Sequence, residues 1–380
     1  MSRPTAWSRP SAASLEEKLI VPMILLGLFF FAVTIWSNAR GGVFGFDFKG
    51  SLWQGGRDVL AGRSPYPPAD PLVIRALGNT FVYPPAILLA AVPLALLPLA
   101  AATALVSLAN VGAIALALRI LGVRDWRCYA LGLFSIPVAS NIVLGQLGCL
   151  LALGIAVAWR YRDRAVLLGI AVGALVVAKL FLWPLFVWLL VTRRMHAAVV
   201  AAFGGLTAVM LAWAAIGFDG LRSYPALLTA LSDGAQDRGS SLVALGLRLG
   251  LESEPSRILA FTVGAGLIVL TAGLARREDG DRRSLAAAIA AGILISPVAW
   301  LHYYVTLYVP LAIAHRRADA AWLVLLLFWL SPTENPPTIA RLVVALAAGC
   351  ALLLVTLRRV RDETAPQARV NPKGLTVRAR

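Results

Sequence analysis

Runs of apolar residues recur along the chain from Leu19 to Leu357, cut apart by short polar breaks. They fall at 19–36, 82–97, 99–120, 128–144, 148–159, 165–178, 181–192, 196–216, 257–275, 284–300, 303–314, 320–331 and 338–357. A hydrocarbon core of roughly 30 Å is crossed by about 20 residues of helix. Backbone polar groups in lipid must be satisfied within the protein, so the runs predict transmembrane helices. The expected fold class is an all-α polytopic membrane protein.

The breaks are of two kinds. Arg119 to Arg127, Arg160 to Arg164, Arg193-Arg194, Arg276 to Arg283, Arg316-Arg317 and the tail from Arg358 carry charge. Tyr83-Pro84-Pro85, Trp183-Pro184, Ser296-Pro297 and Asn335-Pro336-Pro337 carry proline and aromatics, which interrupt helices without adding charge. Under the positive-inside rule the basic breaks face the cytoplasm and the proline breaks the other side. Both termini then lie in the cytoplasm, which requires an even number of crossings. One run between Tyr83 and Leu121 that dips in without crossing brings the thirteen runs to about twelve spans.

The first run follows Arg3, Arg9 and Lys18, exceeds a signal-peptide core in length and precedes no small-residue cleavage site, so it reads as a retained helix. The expected organisation is a cytoplasmic tail over 1–18, a membrane domain over 19–357 and a basic cytoplasmic tail over 358–380. Two external loops, about 38–81 and 217–256, are longer than connections need to be, which points to function. The first holds an amphipathic stretch near Leu52 to Leu60 and the turn-rich Gly62-Arg63-Ser64-Pro65-Tyr66-Pro67-Pro68. Short runs such as 148–159 and 303–314 are tolerated where they line a wet cavity, here one open to the outer side.

Composition narrows the class. With 59% hydrophobic and 14% charged residues, the chain has too little polar surface for a water-soluble globule of 380 residues. The net charge of +16 would point to nucleic acid in a soluble protein, but here it sits in short loops, and no nucleic-acid partner is expected. Only four basic residues are Lys, and with abundant Ala this suits a GC-rich bacterial genome, hence a bacterial plasma membrane. Cys128, Cys149 and Cys350 lie in or beside apolar runs at no metal spacing and read as small buried hydrophobes.

Candidate chemistry comes from ionisable groups in apolar surroundings. Lys179, in Val177-Ala178-Lys179-Leu180, and His302, in Trp300-Leu301-His302-Tyr303-Tyr304, are costly there unless they meet an anion, a lipid headgroup or water. Two plainer readings stand beside this one, a lysine that snorkels and a histidine that anchors at the interface. No carboxylate falls inside a run, which argues against ion-coupled transport and for an anionic lipid-linked substrate. The outer side holds Asp47, Asp58, Asp70, Asp219, Asp233, Asp237, Glu252, Glu254 and Glu334. Asp47 differs from the rest: set between Phe46 and Phe48 just beyond the first helix, it is placed to take a proton from an acceptor hydroxyl. No cofactor is expected, and no paired carboxylates compel a metal, although Asp233 and Asp237 leave a divalent ion open.

Several stretches in order resemble glycosyltransferase family 87: Asp47-Phe48-Lys49, Leu60 to Tyr66, Phe81-Val82-Tyr83-Pro84-Pro85 with Pro93 and Leu97-Pro98, Gly145-Gln146, Lys179 with Trp183-Pro184 and Arg193-Arg194, and Ser296 to Tyr304. The resemblance covers about residues 40 to 310. In that family Gly-Gln is commonly followed by a hydrophobic residue and Asn; here Leu147-Gly148 follows, and Asn141 is the candidate for the missing polar contact. The resemblance implies a GT-C-like bundle and transfer of one sugar, mannose foremost and arabinofuranose next, from a polyprenyl phosphate donor to a hydroxyl of an envelope glycolipid or glycan. It implies that Asp47 is the catalytic residue and that His302 lies near the donor phosphate, and it matches Tyr83, Gln146, Lys179 and Trp300 as substrate-binding positions. The alternatives are a lipid-linked sugar flippase and a non-catalytic envelope-assembly scaffold. A flippase would favour an internal repeat, and none is found.

Overall fold

The computed structural model describes residues 12–331 and 336–358, with side chains from Lys18 onward. Arg3, Arg9, Glu334, Asn335 and the tail beyond Arg358 lie outside the described residues. Among those described, the chain is helical, with no strand. Each apolar run becomes a helix or a closely joined pair, so the pattern located the elements well.

The number of crossings is a different matter. Five helices are long and apolar enough to span a membrane: Lys18–Arg40, Leu99–Ile120, Met195–Ala215, Ser253–Ala275 and Ile339–Leu357. Trp126–Leu133 and Ile136–Leu144 meet at 60° and make a sixth only if the bent pair is one span. The expected count of about twelve is therefore not supported by length and composition. The other apolar helices are shorter, among them Pro85–Ala95, Gly148–Arg160, Ala165–Ala178 and Leu301–Ala314. An apolar run reports desolvation, and desolvation by protein reads the same as desolvation by lipid. Gly280–Ile295 illustrates this, with Ser284 to Ile293 all buried in the protein itself.

Small residues allow close packing where there is little hydrophobic drive between helices. Gly169 and Gly173 on Ala165–Ala178 meet Ala197 and Ala201 on Met195–Ala215, all of them buried. Outward faces carry large apolar side chains, such as Phe29 and Phe203. Cys128 and Cys149 are buried as expected, whereas Cys350 is exposed on the outer face of its helix.

Charge and breaks separate to opposite ends. Asp281 joins Arg194 at 2.6 Å and Arg162 at 3.6 Å, which gathers three of the basic breaks at one end. Helix Ala165–Ala178 starts beside Arg164 and ends at Lys179. Fourteen residues at 1.5 Å each place those ends about 21 Å apart.

At the Lys179 end, the two long segments are folded rather than looping freely. The first forms Gln54–Leu60 and Pro71–Leu77, the second Tyr224–Ala235 and Leu242–Arg248. They dock through Ile74, Leu227 and Ala230 and a two-pronged Arg75–Asp237 ion pair at 3.0 and 3.1 Å. Tyr66 stacks on Trp213 with ring centroids 5.2 Å apart. Together they make a cap over the broken helix ends.

Candidate active site

Beneath the cap lies a cavity of about 380 Å³. The breaks at Tyr83-Pro84, Gln146, Lys179 to Trp183 and Ser296 to Trp300 all contribute to its wall. These interruptions, far apart in sequence, thus converge on one place.

Asp47 reaches the wall because of two glycines. Gly45, at φ +74°, turns the chain out of the first helix, and its amide donates to the Val143 carbonyl at 2.6 Å. Gly145 sits at φ +69° after helix Ile136–Leu144, where a Cβ would lie 2.6 Å from that of Phe48. A residue with a side chain would be strained at both positions; at Gly45 its Cβ would meet Thr103, and at Gly145 it would push the two turns apart. With the turns pressed together, the Gln146 amide donates to Asp47 Oδ2 at 2.6 Å.

Lys179 ends helix Ala165–Ala178 in extended backbone, and Pro184 opens the next helix. Only 5% exposed, Lys179 donates to the Tyr83 hydroxyl at 3.2 Å and the Tyr303 hydroxyl at 3.4 Å. Its ammonium also lies 4.4 Å and 4.9 Å from the centroids of those two rings. Both partners are hydroxyls, so among the described residues a buried positive charge faces the cavity with no carboxylate bonded to it, an arrangement suited to an anion. The Tyr83 strand is itself fixed, since Tyr66 donates to the Tyr83 carbonyl and Tyr224 to that of Val82, at 3.0 and 3.1 Å.

Of the sequence-derived residues, Asp47, Tyr83, Gln146, Lys179 and Trp300 line this one cavity. His302 is not in its wall. The imidazole is buried behind Tyr303, edge-on to that ring at 4.9 Å, and Nε2 has no hydrogen-bond partner among the described residues. Tyr303 takes the place in the wall, stacked on Phe181 at 4.3 Å. Asn141 does not supply a cavity contact either. It is fully buried, donates to the carbonyls of Pro137 and His302, and accepts from the Gly148 amide, so its polar atoms are spent holding the His302 segment to the Gly145-Gln146 turn.

Nothing in the residue pattern singles out Tyr303 or Arg238, both of which line the cavity. Tyr303 lies inside the Ser296 to Tyr304 stretch, one position after His302. Arg238 was one of many arginines. Asp233 and Asp237 turn to Arg257 and Arg75 respectively. Among the described residues, no group of three or more His, Cys, Asp or Glu side chains is placed to hold a metal ion.

Burial pushes the Asp47 carboxyl above the ordinary carboxylate range, opposed by the Gln146 hydrogen bond and the Lys179 charge. A group that works as a base loses activity as pH falls through its pKa. Gln146→Leu removes one of the opposing influences, so the acid limb of kcat/KM should move to higher pH. An unchanged limb in a pH profile would show that Gln146 does not tune Asp47.

Comparison with known proteins fits this geometry. A mannosyltransferase of Mycolicibacterium smegmatis, described as polyprenol-phosphate-mannose-dependent alpha-(1-2)-phosphatidylinositol mannoside mannosyltransferase, is 27% identical over 314 residues, covering 70% of this chain and 69% of that protein. No solved structure matches. Residues 81–301 match glycosyltransferase family 87. That stretch includes Tyr83, Gln146, Lys179 and Trp300, stops one residue before His302 and begins after Asp47. Since it spans more than half of the chain and holds most of the cavity wall, this protein belongs to glycosyltransferase family 87.

Proposed function

We propose that this chain transfers a sugar, mannose foremost, from a polyprenyl phosphate donor to a hydroxyl of an envelope glycolipid or glycan. The observation that carries the reading is the pairing of Asp47 and Lys179, opposite charges set in the wall of one capped cavity. The family supplies the class of reaction, and the Mycolicibacterium relative's described donor supplies the lipid phosphate.

In this reading the acceptor oxygen attacks the anomeric carbon while its proton passes to the Asp47 carboxylate, later to be released to water. The bond from the anomeric carbon to the phosphate oxygen breaks, and polyprenyl phosphate leaves with its negative charge against Lys179. Direct displacement inverts the anomeric configuration. A phosphate leaves more readily than a sugar alkoxide, so the second carboxylate that protonates the leaving group in glycosidases is not needed. Tyr83 and Tyr303 hold the lysine, Trp300 offers a face for the sugar, and His302 backs Tyr303 from the second layer. No cofactor is invoked, and transfer should persist in the presence of a chelator.

An apolar cleft of about 350 Å³ runs beside the cavity. It is bounded by Ile87, just beyond Pro85, and by Val177 and Ala178, just before Lys179. We place the isoprenoid tail there. The arrangement is read as a GT-C-like bundle whose shorter helices are enclosed by longer ones. Three of the basic breaks gather at the end away from the cavity, which under the positive-inside rule supports cytoplasmic termini and a site on the outer face of a bacterial plasma membrane.

Purified protein in vesicles, supplied with polyprenyl phosphate mannose and a mannosylated glycolipid, should yield a product one sugar longer with inverted linkage. Movement of the intact donor across the bilayer without any transfer would favour the flippase. Neither transfer nor donor binding would leave the scaffold.

A further inference from the structure

Among the described residues, the cavity has three charged side chains in its wall: Asp47, Lys179 and Arg238. The first two are used by the reaction above; Arg238 is not. It belongs to the cap, on the segment between helices Tyr224–Ala235 and Leu242–Arg248.

Asp237 gives both oxygens to Arg75, and Asp233 and Glu254 go to Arg257. The two aspartates that precede Arg238 are thereby engaged elsewhere. Among the described residues no carboxylate forms an ion pair with Arg238; its hydrogen bond goes to the Arg75 carbonyl at 3.4 Å. Arg238 is half-buried and lines the cavity, where a charge without an ion-pair partner is worth keeping only if something anionic arrives.

Nor is Arg238 carried on a loose surface loop. Immediately after it, the Ser240 amide donates to the Ala299 carbonyl at 2.5 Å and the Ser241 hydroxyl to that of Pro297 at 3.1 Å. The Tyr304 hydroxyl donates to the Ser240 carbonyl at 3.4 Å. These bonds seat the Arg238 segment on the stretch that leads to Trp300. A planar guanidinium with several donors, fixed at its base, is the usual protein partner for phosphate oxygens.

We propose that Arg238 forms a second phosphate subsite, which binds the phosphate of the acceptor's lipid anchor and so selects phosphoglycolipids over neutral glycolipids. This rests on the transferase reading, in which the donor phosphate meets Lys179, at the end of helix Ala165–Ala178 and not on the cap. The cap position of Arg238 then leaves it to the other substrate. The shared chemistry is a phosphate oxygen, and the experiment separates the two sources.

Three lipids serve as probes of purified protein in nanodiscs: a phosphatidylinositol mannoside, a neutral dialkylglycerol mannoside with the same sugar, and a polyprenyl phosphate mannose. Binding is measured directly, so the result does not depend on turnover. Arg238→Gln should weaken the phosphoglycolipid by about tenfold or more, leave the neutral glycolipid and the donor unchanged, and be largely restored by Arg238→Lys. Equal weakening of the donor would overturn the assignment by placing Arg238 at the donor phosphate. Unchanged binding of the phosphoglycolipid would overturn it as well, leaving a solvated surface charge. If the wild type binds all three probes yet transfers nothing, the transferase reading fails while the subsite stands.

Discussion

Asp47→Asn should cut kcat by about 10²- to 10⁴-fold, the range over which a positioned base accelerates proton removal, while KM for both substrates changes little. Asparagine keeps the shape of the side chain and an oxygen that can accept from Gln146, whose bond to Asp47 is 2.6 Å long. The cavity wall therefore stays in place and only proton affinity is lost. Rates in reconstituted vesicles, alongside thermal unfolding of the same preparations, are the measurement. Full activity in a normally folded Asp47→Asn protein would remove Asp47 from the role of base.

No other described carboxylate is in a position to substitute. Asp58 is occupied by Arg63 and Gln54, Asp70 caps helix Pro71–Leu77 by accepting from the Leu72 amide, and Asp233 and Asp237 are paired with arginines of the cap. Asp47 is the carboxylate in the described cavity wall. Loss of activity at this one position is accordingly not expected to be compensated by a neighbour.

The helices were legible because desolvation imposes one demand on any backbone, that its polar groups be satisfied internally, and apolar runs mark where that demand applies. The run at 284–300 is apolar enough to suggest contact with lipid. Its helix, Gly280–Ile295, has Ser284 to Ile293 all buried by protein, and no property of Ala286 to Gly292 alone distinguishes the two surroundings. The long segments over 38–81 and 217–256 stand out in the sequence by length alone. That they dock on each other through Arg75 and Asp237, 162 positions apart, depends on pairing that one sequence does not encode locally.

Within the site, Asp47 and Lys179 stood out because a charge in apolar surroundings needs a physical reason. His302 stood out on the same ground, but burial that makes a residue conspicuous also hides it: the imidazole lies behind Tyr303, and the tyrosine lines the cavity. Arg238 shows the converse. An arginine in a polar loop is unremarkable until its surroundings are known, since what sets it apart is a place in the cavity wall while Asp233 and Asp237 are taken by other residues. Gln146 fell between these cases, with a motif to mark it and only the left-handed Gly145 turn to show that it faces Asp47.

Lys179→Met separates function from structure by the sign of two effects. Methionine preserves a flexible apolar stem of similar length but removes the charge, and with it the hydrogen bonds to Tyr83 and Tyr303. If the lysine is there to hold the fold, the variant should unfold more readily and lose activity only in proportion. A buried cation with no bonded carboxylate is instead expensive in the empty protein, so the variant should be at least as stable as the wild type. Its kcat/KM should nevertheless fall by about 10²- to 10³-fold, the usual loss when a preorganised partner of developing charge is removed from a site with little water. The loss should appear in donor binding as well as in turnover, because the donor phosphate is already negative before reaction. A variant both unstable and proportionately inactive would return Lys179 to a structural role; a stable, inactive one ties its burial cost to the phosphate it awaits.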